Sequence, residues 1–235
     1  MNKTCVVWAA AGILTVCGFA SAQSGPAQEE PNQADRSAKS LQPNHDNAGV
    51  RNVNLEKGTG TVAGKLNSPF LRRNPAVIYI ENVTGRQFTP RATTPVMDQE
   101  NLIFIPHVLP VLVGSTVDFP NNDTVRHNVF SPPKSTKPFN LGTYPAGEVK
   151  QVVFDKVGVV PLLCNVHAEM SAYVVVLQNP FFALTDKDGA VSLGNVPEGE
   201  YVLTFWHEDL KSISKPIKVT QSQITEVRFE NLSRK

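Results

Sequence analysis

From Gly58 onward the chain alternates short apolar runs with clusters of Pro, Gly, Asn and Asp. The runs are TVAGKL, PAVIYIEN, NLIFIPHVLPVLVGSTVDFP, VKQVVFD, VVPLLC, SAYVVVLQ, YVLTFWHE and ITEVRFE. β-Branched and aromatic residues dominate them, and none carries a sustained helical period, so each predicts strand. Turn signals recur between them at the spacing of a β-sandwich. An all-β chain is expected, with ordered structure from Gly58 to the end.

The pattern before Gly58 is different. Gln23 to Lys57 is polar and rich in Gln, Asn, Ser and Pro, which predicts a flexible tether that leaves His45 solvated. Ahead of it, MNKTCVVWAAAGILTVCGFASA has Lys3 as its only charge, an apolar run from Cys5 to Phe19, and Ala20-Ser21-Ala22 as a small-residue cleavage site. That is the pattern of a secretory signal peptide, residues 1 to 22. The run is shorter than the roughly 20 residues that span a bilayer. An uncleaved anchor or a lipid attached at Cys17 are the two routes that would hold the chain to a membrane.

Export changes both the charge and the cysteine reading. Cleavage removes Lys3 and no acid, leaving 21 basic against 21 acidic side chains, so no net field recruits nucleic acid or an anionic membrane. It also removes Cys5 and Cys17. Cys164 is then the only cysteine, in a compartment that oxidises thiols, without an intramolecular disulfide partner. Such a residue is an inert thiol, an intermolecular link, a nucleophile or a metal ligand, and its neighbours decide which.

A seam falls at Gln178-Asn179-Pro180, giving domains at 58–178 and 179–235. Beyond it the Asp186-Lys187-Asp188-Gly189 turn and Val196-Pro197-Glu198-Gly199 separate strand-like runs. These motifs resemble the carboxypeptidase regulatory-like sandwich, a likeness that implies fold and says little of activity. The runs from Gly60 to Leu66 and Pro75 to Ile80 also resemble its opening strands, so strands from 58–80 are candidates to complete it around an inserted first module.

Chemistry concentrates in Cys164-Asn165-Val166-His167-Ala168-Glu169-Met170, between the runs ending at Leu163 and beginning at Ala172. Thiolate, imidazole and thioether on one tight loop form a soft donor set suited to copper in both oxidation states. A second imidazole is needed, and His127, after the strand Val111 to Phe119 and the Asn121 to Arg126 turn, supplies it. A sandwich brings such turns to one pole. Zinc is the competing metal, but its closed sites want four strong N, S or O donors, and a thioether is a poor fourth. Glu169 approaching the metal in place of Met170 would give another copper class.

These segments resemble the cupredoxin family of small blue-copper proteins, closest in loop length to amicyanin and to plastocyanin-like proteins of methylamine utilisation. The matching features are F-x-P at Phe104 to Pro106, V-x-VG-x-xVxF from Val111 to Phe119, N-x-D at Asn121 to Asp123, HNV from His127, and CxxHxxM. The resemblance implies a Greek-key β-sandwich holding one copper ion, with a second small β-sandwich beside it. It implies His127, Cys164 and His167 as equatorial ligands and Met170 as the axial one. Asn128 would tie the two ligand segments together, and Glu169 would place a carboxylate at the solvent edge of the site.

The resemblance further implies a non-enzymatic carrier of single electrons between redox partner proteins, most naturally in a bacterial periplasm. The alternatives are copper buffering or delivery, and an interaction module docked through the C-terminal sandwich. A Cys164 nucleophile with a histidine base is the enzymatic reading, and it leaves the second histidine and Met170 without a role. His107 and His207 read as packing residues. Asp186 and Asp188 read as a hairpin turn, lacking the later Glu of a calcium loop.

Overall fold

A computed structural model describes residues 57–235. The expected signal peptide and nearly all of the tether lie outside the described residues. Among the described residues there are sixteen strands, one single-turn 3-10 helix at Pro69–Arg72 and no α-helix. None is a helix long and apolar enough to cross a membrane.

The strands are β1 (Thr59–Leu66), β2 (Val77–Ile80), β3 (Asp98–Glu100), β4 (Ile103–Ile105), β5 (Val108–Leu112), β6 (Ser115–Pro120), β7 (His127–Ser131) and β8 (Phe139–Tyr144). They continue as β9 (Val149–Phe154), β10 (Gly158–Leu163), β11 (Ser171–Leu177), β12 (Phe182–Leu184), β13 (Ala190–Pro197), β14 (Gly199–Trp206), β15 (Ile213–Val219) and β16 (Ile224–Phe229). The long apolar run from Asn101 to Pro120 is three strands. The stretch Val111 to Phe119, expected as one strand, breaks at Val113-Gly114, where Gly114 has φ +88° and carries the chain from one sheet to the other.

One sandwich is built from the middle of the chain. Its larger sheet has the order β5-β11-β10-β7-β8, with β5 and β11 parallel. Facing it are the pairs β6-β9 and β3-β4, linked by the bridges Val96 to Asp118 and Gln99 to Asn121. Period-two alternation decides what goes inside: in β6, Ser115, Val117 and Phe119 are buried while Thr116, Asp118 and Pro120 are partly open. Val117, Phe119, Phe154, Val160, Leu162, Ala172 and Val174 fill the core, each larger side chain contributing about 1.5–3 kcal/mol by leaving water.

The second sandwich takes strands from both ends of the described chain. Its sheets are β13-β1-β16 and β12-β2-β14-β15. A contiguous boundary near residue 178 therefore does not describe the pairing, because β1 bonds only to β13 and β16, and β2 to β12 and β14. Backbone groups of strands this apolar must find sheet partners, and for residues 59–66 and 77–80 those lie beyond residue 180. The middle sandwich is inserted between β2 and β12.

Apolar side chains join the two. Along β11, Ala172, Val174 and Val176 point into the first core, while Tyr173, Val175 and Leu177 pack with Val108 against Val77, Tyr79, Phe182 and Trp206 of the second sandwich. Both faces of β11 are thus covered, which explains why SAYVVVLQ reads as continuously apolar.

Candidate metal centre

The antiparallel neighbours β7 and β10 pair at Phe130 and Leu163. The first residue of β7, His127, and the residue after β10, Cys164, therefore lie at one pole. The Cys164–Met170 loop turns there before β11 begins. Met170 N–H donates to His167 C=O at 3.2 Å, closing the turn.

His127 is held by the residues before it. Asn121, fully buried, donates from Nδ2 to Val125 C=O (2.9 Å) and Tyr144 C=O (3.2 Å), and its Oδ1 accepts from Asp123 N–H at 3.1 Å. This folds the loop so that Asp123 Oδ2 lies 3.0 Å from His127 Nε2. The same Oδ2 accepts Leu102 N–H at 2.8 Å, and Oδ1 accepts Thr124 N–H at 2.7 Å. Leu102 first, then His127 and Thr124, pull the Asp123 carboxyl down to about 2. An ionised carboxylate only accepts, so the proton of a neutral His127 sits on Nε2 and the lone pair of Nδ1 faces the loop.

His167, half-buried, brings its Nδ1 to 3.0 Å from His127 Nδ1. With His127 Nδ1 unprotonated, His167 is the donor in that contact. Cys164 is buried, and its sulfur accepts Val166 N–H at 3.4 Å. The donor atoms of His127, Cys164 and His167 all lie within 4.8 Å of one another. Bond lengths of about 2.0–2.3 Å to one ion put donors roughly 3.3–3.8 Å apart in a tetrahedral or trigonal set, so the three donor atoms stand within about an ångström of the spacing that a shared ion requires. Two aimed nitrogens and a buried sulfur fit a soft transition metal.

The remaining sequence candidates separate clearly. Met170 is 1% exposed and packs in the same cluster as Cys164, whereas Glu169 is exposed and outside the donor group. Asn128 is buried, but it does not tie the two ligand segments. Its Nδ2 donates to Asn140 Oδ1 of β8 at 2.8 Å and its own Oδ1 has no partner. The physical reason is register: Asn128 sits opposite Thr143, and the ladder shifts between Asn128 and Phe130, which brings Asn140 within reach.

His107 and His207 stay away from this pole. His107 Nε2 contacts Glu208 Oε1 at 3.0 Å, and His207 is buried with both ring nitrogens bonded, to Asn74 C=O and Asp209 N–H. Asp186 Oδ1 accepts Asp188 and Ala190 N–H, the bonding of a turn. Two residues that shape the site escaped sequence reasoning: Asp123, quoted only as part of a motif, and Leu102. The signal for the first was a carboxylate four residues before a candidate ligand histidine.

No family model matches the chain, and no curated protein does. Solved structures are similar to part of it. A purple cupredoxin from Nitrosopumilus maritimus is 26% identical over 35% of this chain and 98% of its own, at a TM-score of 0.32. A reduced mutant of amicyanin is 23% identical over 37% of this chain and 84% of its own, at 0.35. A copper-containing nitrite reductase from Thermus scotoductus is 24% identical over 43% of this chain and 25% of its own, at 0.36.

Proposed function

We propose that this chain is an exported mononuclear copper protein of the cupredoxin type that carries single electrons between partner proteins. The observation that carries the reading is the convergence of one ring nitrogen from each of His127 and His167 with Cys164 Sγ, all within 4.8 Å, at one pole of a β-sandwich. Met170, buried in the same core cluster as Cys164, is the fourth donor in this reading. Copper supplies one-electron redox chemistry there. The chain's own part is to hold the donors still: His127 through Asp123, Cys164 through Val166 N–H, and Met170 by packing, so that little moves when charge changes. His167, half-exposed, is where a partner reaches the site.

Four protein donors leave no position for a substrate, which favours a carrier over an enzyme. A periplasmic location follows from the leader peptide read in the sequence. The outer sandwich of three- and four-stranded sheets is read as a carboxypeptidase regulatory-like module, on the Asp186–Gly189 turn and the Val196–Gly199 stretch.

The test is to add Cu(II) to the purified protein and record the visible spectrum. An intense thiolate-to-copper band that Cys164→Ser abolishes, and that bleaches and returns over repeated reduction and reoxidation, is expected. A band that survives Cys164→Ser overturns the site. Copper that is lost to a chelator in either oxidation state would make the protein a buffer or delivery vehicle instead.

A further inference from the structure

The β3–β4 hairpin closes with only two residues, Asn101 and Leu102, between the paired Glu100 and Ile103. Both have positive φ, 54° and 61°, the geometry of a two-residue hairpin turn whose second position ordinarily takes Gly. Here that position is a leucine whose side chain is 47% exposed. Packing therefore does not explain the strained conformation. What it accomplishes is directional: it aims Leu102 N–H at Asp123 Oδ2, 2.8 Å away, the same oxygen that lies 3.0 Å from His127 Nε2. Strain held at one point with a single polar consequence is a pointer to function.

We infer that the Asn101–Leu102 turn is a positioning element of the metal centre: its backbone N–H anchors Asp123 Oδ2, which fixes the ring and tautomer of His127. The inference rests on the copper reading for its functional meaning, though not for its structural content. Asp123 sits on a loop and bonds its own neighbours, Thr124 N–H through Oδ1 and Asn121 Oδ1 through its N–H. Leu102 N–H is the one donor that reaches Oδ2 from another strand pair. Without it the carboxylate is held only by its neighbour Thr124 through Oδ1 and by His127 itself, and Oδ2 can turn away from the acceptor position that keeps the proton on Nε2 and the lone pair on Nδ1. The bridge from Gln99 to Asn121 sets the distance between the hairpin and the loop, so turn length and His127 are mechanically linked.

The experiment compares three proteins in full-length form: the parent, Leu102→Gly, and a variant with one glycine inserted between Asn101 and Leu102. The first variant keeps the N–H and suits the positive φ, while the second keeps the residues and moves the N–H. Long-range nitrogen–proton NMR of the metal-free proteins reads the His127 tautomer, and competition with a chelator reads copper affinity. In the parent and in Leu102→Gly, a single Nε2–H tautomer and equal affinity are expected. The insertion should mix the tautomers and weaken copper binding roughly tenfold, the lower end for loss of a partner behind a ligand histidine. An insertion variant with one Nε2–H tautomer and affinity within twofold of the parent overturns the inference, as does a Leu102→Gly protein as impaired as the insertion. If no protein binds copper, the copper reading fails, and the metal-free tautomers still decide the positioning role.

Discussion

Asn121 is the residue on which the local geometry of the site turns. Its side chain makes three bonds in a fully buried position, two as donor and one as acceptor. Beside it, Tyr144 donates to Phe119 C=O at 3.1 Å and accepts from Gln99 Nε2 at 2.6 Å, and burial pushes its phenol up to about 12. Tyr144 is the β8 partner of His127 in the ladder, so one buried polar network carries both the loop and the strand that present His127. Removing a member leaves others unsatisfied, which costs about 1–3 kcal/mol for each neutral group. Asn121→Ala should therefore lower unfolding free energy by roughly 2–4 kcal/mol in urea titrations, two backbone carbonyls and one N–H being orphaned. Copper affinity should fall with it, since Asp123 loses its tether. Leu102→Gly should act oppositely on stability. A leucine in the left-handed region costs about 1–2 kcal/mol, and glycine returns about 0.5–1 of that as chain entropy, leaving a gain of some 0.5–1 kcal/mol visible as a higher urea midpoint.

At the scale of elements, the turn between β12 and β13 shows how closely backbone can dictate residue type. Gly189 has φ +78°, its carbonyl accepts Leu66 N–H at 2.9 Å, and a Cβ built on it would stand 2.0 Å from Leu66 C=O. Gly189→Ala should cost at least about 2 kcal/mol through strain and contact together. The loss falls on the outer sandwich, so the copper band should be unchanged at temperatures where the protein is folded. That turn was legible from Asp186-Lys187-Asp188-Gly189, as were most strands, because period-two alternation and turn residues are local signals. That His127, Cys164 and His167 come together was legible for a related reason: residue type and loop spacing are written in the chain. What could not be read was anything set by register between distant segments. Asn128 bonds across to Asn140 because of a shift in the β7–β8 ladder, and Leu102 meets Asp123 because a hairpin and a loop 21 residues apart share a sheet edge. That residues 59–66 belong with the C-terminal sandwich was open in the sequence, as the likeness of the Gly60–Leu66 run to its opening strand; their register against 190–197 and 224–229 was not, because long-range pairing between runs that look alike leaves no local mark.

For the whole molecule, insertion of one sandwich into the other means that the ends of the described chain stabilise each other. Cutting after Gln178 would strip β1 and β2 of every sheet partner and expose Val108, Val175 and Leu177, which now pack against Val77 and Trp206. A fragment ending there should aggregate, as read by light scattering, while the full chain does not. His207 lies where the two sandwiches meet, next to Trp206 and to Glu208, whose carboxylate contacts both His107 and Asn74. It is fully buried, with Nδ1 accepting Asp209 N–H at 3.1 Å and Nε2–H donating to Asn74 C=O at 3.1 Å. The neutral ring satisfies both bonds, and a second proton on Nδ1 would face another N–H. Burial accordingly pulls the imidazole below its ordinary range, against the Asn74 carbonyl and the charges of Glu208 and Asp209, which favour the proton, and with Lys235, which opposes it. The unfolded chain, titrating at about 6.5, then binds the proton more readily than the folded one. Stability from this group is complete above about pH 6.5 and is lost as pH falls from there toward the lower folded value. Urea midpoints measured between pH 8 and pH 5 should hold level and then decline, and in His207→Gln that part of the decline should vanish, from a midpoint that is lower at pH 8 because the new side chain fits the two partners less well. A decline of the same slope in both proteins would place the titrating group elsewhere.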